Sequence, residues 1–346
     1  MNYTRVFIDS FGYELPSNVV TSDDLERRLA PLYDALRIQR GQLEAITGIR
    51  ERRYWDPGFP LSRGAVRAGR KALSAAGATS ADIGMLIYGA VCRENLEPAS
   101  ACAVADGLGL PRTCMVYDVS NACLGVLNGM VNVANAIELG QTRAGMVVAC
   151  ESAREIVDLT IDRLLRERSM DTLRKTVATL TGGSGAVAVV LTDGSFAPQT
   201  RRLLGGVARS APEHHRLCVW GPDTGIPGGT SHMAETDSTQ VLQHGVALGI
   251  ETFHEFRRAL ALSADQPDRV ICHQVGATHQ RTILEAIGIP EERDFTTFRN
   301  LGNIGTVSLP ITAAIAAERE VVRPGDLVGL LGIGSGLNCL MLAVRW

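Results

Sequence analysis

The sequence lacks any run of ~18 apolar residues, so it offers no candidate membrane-spanning helix. It also lacks a basic stripe. Its 34 Lys and Arg stand against 37 Asp and Glu, for a net charge of -3. The one basic cluster, Arg50, Arg52 and Arg53, is too local to track a polyanion, so nucleic-acid binding is not expected. None of the 8 cysteines, at 92, 102, 114, 123, 150, 218, 272 and 339, forms a CxxC pair. That argues against zinc and iron–sulfur sites, and no metal is expected. The start, Met1 to Ile8, has neither a long apolar stretch nor a cleavage site, so no signal peptide is expected. The scattered cysteines, several inside apolar runs, lead to the expectation of a reducing, cytoplasmic setting.

What is present is the composition of a folded α/β protein: 45% hydrophobic, 21% charged, mean hydropathy +0.08. Over 346 residues this can bury one large core or two packed core units. Short apolar runs alternate with Ala-rich helical stretches. The pattern predicts strands near 4–10, 84–91, 114–119, 145–151 and 186–192, then 269–273, 327–332 and 338–345. It predicts helices near 62–76, 122–139, 241–262, 278–287 and 308–320. In both halves a strand leads through a helix to a polar turn, then to a helix, a Gly-containing break and another strand. This suggests a duplicated α/β unit, with halves at 1–195 and 196–346. Two segments break the pattern. Residues 152–178 are charged and helix-prone and read as an exposed insertion. Residues 211–240 are rich in Gly, Pro, Ser, Thr and His without periodicity, and read as a loop at the surface or over an active site.

Four places carry chemistry. Asp118–Gly125 joins a strand to a helix, with apolar residues at 124, 127, 131 and 134 in helical spacing. Cys123 then sits near the first helical turn, where unpaired N–H groups and the macrodipole favour a thiolate. Gly125 and Ala122 keep its surroundings small. Taken alone, Cys123 is as readily a buried structural cysteine. His273 ends the strand Asp268–Cys272, where α/β folds bind ligands. A neutral imidazole there could take a thiol proton or donate to an oxyanion; a hydrogen-bonded core histidine is the plainer alternative. Asn303 lies between Gly302 and Gly305 in a turn opening a helix, and its amide could donate to a charged oxygen; turn formation alone also explains it. Gly332-Ile333-Gly334-Ser335-Gly336 makes a Gly-rich turn between two apolar strands. It is no dinucleotide fingerprint, since a strand follows.

Together and in this order, these residues resemble the β-ketoacyl-ACP synthase III group of the thiolase superfamily across nearly the whole chain. The matching motifs are Thr47-Gly48-Ile49-Arg50-Glu51-Arg52-Arg53, Asn121-Ala122-Cys123, Cys272-His273-Gln274, Gly302-Asn303-Ile304-Gly305 and the terminal Gly-rich turn. The resemblance implies a five-layered αβαβα thiolase fold of two duplicated halves, a homodimer, and acyl transfer to Cys123. It implies one oxyanion site from His273 and Asn303, and another from the backbone N–H groups of Cys123 and Ser335. No cofactor is implied beyond coenzyme A thioesters as substrates.

Arg93-Glu94-Asn95-Leu96-Glu97-Pro98-Ala99-Ser100 is more specific. Synthase III enzymes usually carry a bulky apolar residue where Glu97 stands. A carboxylate there is similar to the head-to-head acyl-CoA condensing thiolases of bacterial olefin biosynthesis. The resemblance then implies non-decarboxylative Claisen condensation of two acyl-CoAs, with Glu97 as the α-proton base reaching the partner subunit's site. A decarboxylating synthase III using malonyl-ACP needs no base at Glu97. A non-catalytic thiolase-fold subunit is a third reading, opposed by the intact Cys-His-Asn set.

Overall fold

The computed structural model describes residues 1–196, 201–222 and 232–346. Its strands are β1 (Phe7–Glu14), β2 (Asn18–Thr21), β3 (Glu51–Tyr54), β4 (Met85–Tyr88), β5 (Met115–Asp118), β6 (Ala144–Glu151), β7 (Gly185–Thr192), β8 (Arg202–Ser210), β9 (Cys218–Pro222), β10 (His232–Thr236), β11 (Arg269–Cys272), β12 (Leu327–Gly334) and β13 (Asn338–Arg345). Its α-helices are α1 (Ser22–Arg28), α2 (Ala30–Leu36), α3 (Gln42–Thr47), α4 (Leu61–Ala75), α5 (Ser100–Leu108), α6 (Gly125–Glu138), α7 (Arg154–Glu167), α8 (Met170–Thr176), α9 (Ser238–Ala259), α10 (Ala277–Ile287), α11 (Phe298–Leu301) and α12 (Ser308–Glu318).

Nine strands run in the order β11-β12-β13-β8-β1-β7-β6-β4-β5. The order contains the same arrangement twice. On one side β5, β4 and β6 are parallel, and β7 and β1 follow antiparallel. On the other, β11 and β12 are parallel, and β13 and β8 follow antiparallel. The counterpart of β5 is reduced to a single parallel bridge between Val270 and Asp294. The two sides meet where Phe7 of β1 pairs with Arg202 of β8.

Helices cover both sides in layers. α4 packs on β1, β6 and β7, with α5 beside it; α9 packs on β8 and β13, with α10 beside it. Between the two sides lie α6 and α12. α12 touches β1 and β7 on one side and β11 on the other. Every residue from Ser308 to Ala316 is therefore buried, as a helix enclosed all round must be. Leu127 of α6 packs against Gly332 of β12. This is the five-layered αβαβα thiolase fold.

Two segments differ from the sequence-based expectation. Residues 152–178 form α7 and α8, and α7 is not an exposed excursion. Ile156, Val157, Ile161 and Leu164 are buried. Val157, Ile161 and Leu164 share a separate hydrophobic cluster with Leu25, Leu29 and Leu32. The charged residues Glu155, Asp162 and Arg166 lie on the opposite, exposed face, and Arg163 and Glu167 flank the apolar one, so the charge density of the segment hides it. Residues 211–240 are not a plain loop. β9 and β10 pair antiparallel from Cys218 opposite Thr236 to Pro222 opposite His232. The middle of the segment, 223–231, lies outside the described residues.

Candidate active site

The duplicated topology brings equivalent chain positions to one place. Cys123 precedes α6, and Asn303 precedes the equivalent central helix α12. His273 follows β11, and Ser335 follows β12 directly. All four side chains line one cavity of about 490 Å³. It lies at the carboxyl ends of the parallel strands, where open α/β sheets bind ligands.

The turn that carries Cys123 is tightly built. Ala122 adopts φ 45°, a left-handed conformation that is costly for a residue with a Cβ. Gly125 serves closeness more than accessibility: a Cβ there would lie 2.5 Å from the carbonyl oxygen of Gly89. The turn is tied to the terminal Gly-rich turn by side-chain amides. Asn338 Nδ2 donates to Asn121 Oδ1 at 3.0 Å, and Asn121 Nδ2 donates to Asn128 Oδ1 at 2.9 Å. Gly334 packs so closely that a Cβ would stand 3.3 Å from the Cys123 nitrogen.

Cys123 is half-buried, and its exposed part faces the cavity. The helix N-terminus does not make it a standing thiolate. Burial pushes the thiol up to about 12, Cys218 and Glu151 add to the rise, and its own backbone N–H opposes it. Burial lowers His273 to about 4, with His279 adding to the effect, so the imidazole is neutral. Its backbone N–H donates to Leu331 O at 2.9 Å, which fixes it to β12. Among the described residues Nδ1 is buried with no hydrogen-bond partner. A proton on Nε2 avoids a buried, unpaired N–H at Nδ1, which makes Nε2 a donor. The geometry thus favours the oxyanion-donor alternative over the proton acceptor.

Asn303 is held by its backbone. Its N–H donates to Thr181 O at 2.9 Å, and its carbonyl accepts from Gly183 at 2.9 Å. Gly302 must be glycine here, because it has φ 70° and a Cβ would meet Thr181 O at 2.5 Å. The Asn303 Oδ1 accepts from the Gly305 N–H at 3.1 Å. That fixes the amide with Nδ2 as the remaining donor. The Thr47–Arg53 motif supports this turn from behind. Arg50 N–H donates to Arg299 O, and Arg52, fully buried, donates to Leu180 O at 3.3 Å and Ser22 Oγ at 3.1 Å.

Glu97 stands apart. It is exposed and does not line the cavity of its own chain. Its loop is nonetheless held at both ends. Asp118 accepts from the Ser100 and Ala101 N–H groups, each at 2.9 Å. Glu151 accepts from Val91 at 3.0 Å and Cys92 at 3.1 Å. Glu94 also accepts from the Ser62 N–H at 2.8 Å.

The sequence reading missed two cavity residues. Cys218 lies on the β9–β10 hairpin, in a segment without periodicity. Glu151 is the last residue of the uniformly buried strand β6, Ala144–Glu151. A lone carboxylate abutting such a run was its only signal.

The thiol and imidazole ionisations bear on reactivity. With the thiol near 12 and the imidazole near 4, neither group titrates around neutrality. Alkylation of Cys123 by iodoacetamide should then rise about tenfold per pH unit from pH 7 to 9, following the thiolate fraction. A plateau below pH 8 would contradict a neutral pair.

The chain matches two family models. They are 3-oxoacyl-[acyl-carrier-protein] synthase III over residues 117–208 and its C-terminal model over 258–346. It is 51% identical over 350 residues to an acyl-CoA:acyl-CoA alkyltransferase of Shewanella oneidensis, with all of both chains covered. It is 35% identical over 347 residues to the enzyme of that name from Xanthomonas campestris, again with all of both chains covered. A β-ketoacyl-[acyl-carrier-protein] synthase III of Roseobacter denitrificans is 26% identical over 342 residues, covering 99% of each chain. Among solved structures, Xanthomonas campestris OleA with bound lauric acid and lauroyl-CoA aligns with a TM-score of 0.93 at 34% identity, over 99% of this chain and 100% of that one. With its fold and full-length relatives agreeing, the chain belongs to the acyl-CoA:acyl-CoA alkyltransferase family of thiolase-superfamily condensing enzymes.

Proposed function

We propose that this protein joins two acyl-CoAs head to head, by a Claisen condensation without decarboxylation, in a homodimer. The observation that carries the reading is a single cavity in which Cys123, His273 and Asn303 converge and which continues into apolar space. That space follows α9 past Leu242 and Gly249, and α10 past Ile283 and Ile287. Such a lining suits alkyl chains, and the full-length relatives bear the name of this reaction.

In the first step the Cys123 sulfur attacks the thioester carbonyl. The C–S bond to coenzyme A breaks, and the thiol proton leaves on the released CoA. The backbone N–H groups of Cys123 and Ser335 stabilise the tetrahedral oxyanion. A second acyl-CoA then loses an α-proton. Its α-carbon bears no carboxyl group, so no CO2 departure can generate the carbanion. His273 Nε2 and Asn303 Nδ2 donate to the enolate oxygen, and Glu97 of the partner subunit takes the proton. The α-carbon attacks the Cys123 thioester, the C–S bond to Cys123 breaks, the sulfur takes up the proton that Glu97 received, and a 2-alkyl-3-oxoacyl-CoA forms. Hydrolysis gives the β-keto acid. The chemistry draws on coenzyme A thioesters and no resident cofactor. The exposure of Glu97, on a loop anchored at both ends, supports its use by a neighbouring subunit. Eight free cysteines support a reducing, cytoplasmic setting. Among the described residues no helix is long and apolar enough to cross a membrane. The domain halves are proposed at 1–195 and 196–346.

Mass spectrometry of products separates this from the decarboxylating reaction. With acyl-CoA as sole substrate, the protein should release CoA and a branched β-keto acid, or the ketone from its spontaneous decarboxylation. Product formed only after malonyl-ACP is added would refute the proposal.

A further inference from the structure

Glu151 is buried, at 4% exposure, and lines the cavity. Among the described residues it forms no ion pair; its carboxylate is held by the Cys92 thiol and by backbone N–H groups. Oε1 accepts from Val91 and Oε2 from Cys92, near the start of the loop that carries Glu97. The Thr306 N–H also donates to it. The same carboxylate packs on Gly305: a Cβ at that position would stand 3.4 Å from Glu151 Cγ and 3.5 Å from Oε1. Gly305 is the residue whose N–H orients the Asn303 amide. Thr306 in turn accepts, through Oγ1, the Val126 N–H at 2.7 Å, in the first turn of the helix after Cys123.

One side chain therefore touches the base of the Glu97 loop and the Asn303 turn, and reaches the nucleophile helix through Thr306. We infer that Glu151 is a positioning residue, whose carboxylate sets the Glu97 loop and the Asn303 turn in register with Cys123. This rests on the condensation reading above. Glutamine at 151 has one acceptor oxygen and one amide NH2, so it cannot accept from both Val91 and Cys92. Aspartate keeps the charge but withdraws it by one methylene. Burial pushes the Glu151 carboxyl up, against its N–H donors. The titratable groups that feel its charge are Tyr88, Cys92, Cys123 and Cys150.

The test compares Glu151→Gln and Glu151→Asp with the wild type in three measurements: acylation of Cys123 by acyl-CoA, condensation rate, and the pH dependence of Cys123 alkylation. Misplacement of a catalytic group by ~1 Å costs about 10²-fold. Both variants should therefore lower condensation more than acylation, moving the ratio about tenfold or further. Glu151→Gln should also raise the alkylation rate at a given pH, because it removes a negative charge near the thiol, and Glu151→Asp should leave the alkylation profile near the wild-type one. The alkylation profile reports the charge of residue 151, and the ratio of condensation to acylation is the deciding readout, because a purely structural role would lower both steps in proportion. An unchanged ratio in both variants, or acylation and condensation falling in equal proportion with the alkylation profile unmoved, would overturn the inference. If the wild type itself fails to condense two acyl-CoAs, the condensation reading fails instead. Should Glu151→Gln not fold, the ratio in Glu151→Asp decides.

Discussion

Cys123→Ala should carry no acyl group after incubation with an acyl-CoA, while the wild type gains one acyl mass per chain. Cys123 is the cysteine at the head of α6, half-exposed to the cavity, with Gly334 packed against its nitrogen. Cys272 and Cys339 also line the cavity but are buried in the cluster beneath it. Cys272 is held well up by burial and by Asp294, which disfavours a thiolate there. Condensation in Cys123→Ala should drop to background. His273→Ala and Asn303→Ala should fold and accept the acyl group, yet condense about 10²–10³-fold more slowly, the usual cost of one preorganised oxyanion donor. Labelling that persists in Cys123→Ala, or maps to Cys272, would refute the assignment.

Glu97→Ala should be acylated at Cys123 and fail to condense. An α-proton next to a thioester is far less acidic than a carboxylic acid. A carboxylate can take it only where donors stabilise the enolate as it forms and the carboxylate itself is positioned and partly desolvated. Within one chain Glu97 is exposed, and its neighbour Leu96 is 72% exposed. Both features suit a surface that a second subunit covers. Mixing Glu97→Ala with Cys123→Ala chains should therefore restore condensation, because one of the two sites in each heterodimer has both groups. Restoration should reach no more than half the wild-type activity per dimer. Wild-type turnover in Glu97→Ala would exclude Glu97 as the base. Mixed dimers that stay inactive after confirmed subunit exchange would place the base in its own subunit's site.

Much of the fold was legible because its signals are local. The uniformly apolar runs behind β6, β7, β12 and β13 need only burial on both faces to read as strands. α4, α6, α9, α10 and α12 follow from helical spacing, and their observed ends lie within a few residues of the expected ones. β8 was missed. Its Gly205-Gly206 pair interrupts the apolar pattern, and only pairing with β13 on one side and β1 on the other makes it a strand. α7 was misread for a different reason. Its apolar residues are interleaved with charges, and the surface they pack on belongs to α1 and α2, more than a hundred residues earlier in the chain.

By itself the sequence determined the α/β class, the duplicated order of elements, and the turns that present Cys123, His273 and Asn303. Each of these depends on chain neighbours a few residues apart: a strand ending, a helix beginning, a glycine permitting a turn. The tertiary structure alone decided the rest. It brought Cys218 and Glu151 to the cavity and left Glu97 outside it. It set the thiol high and the imidazole low, because the cost of charging a group depends on what surrounds it in space. The N–H groups that hold Glu151 lie about sixty residues before it and a hundred and fifty after it. No local pattern can state such a contact, since a hydrogen bond across that separation exists only once the sheet has assembled.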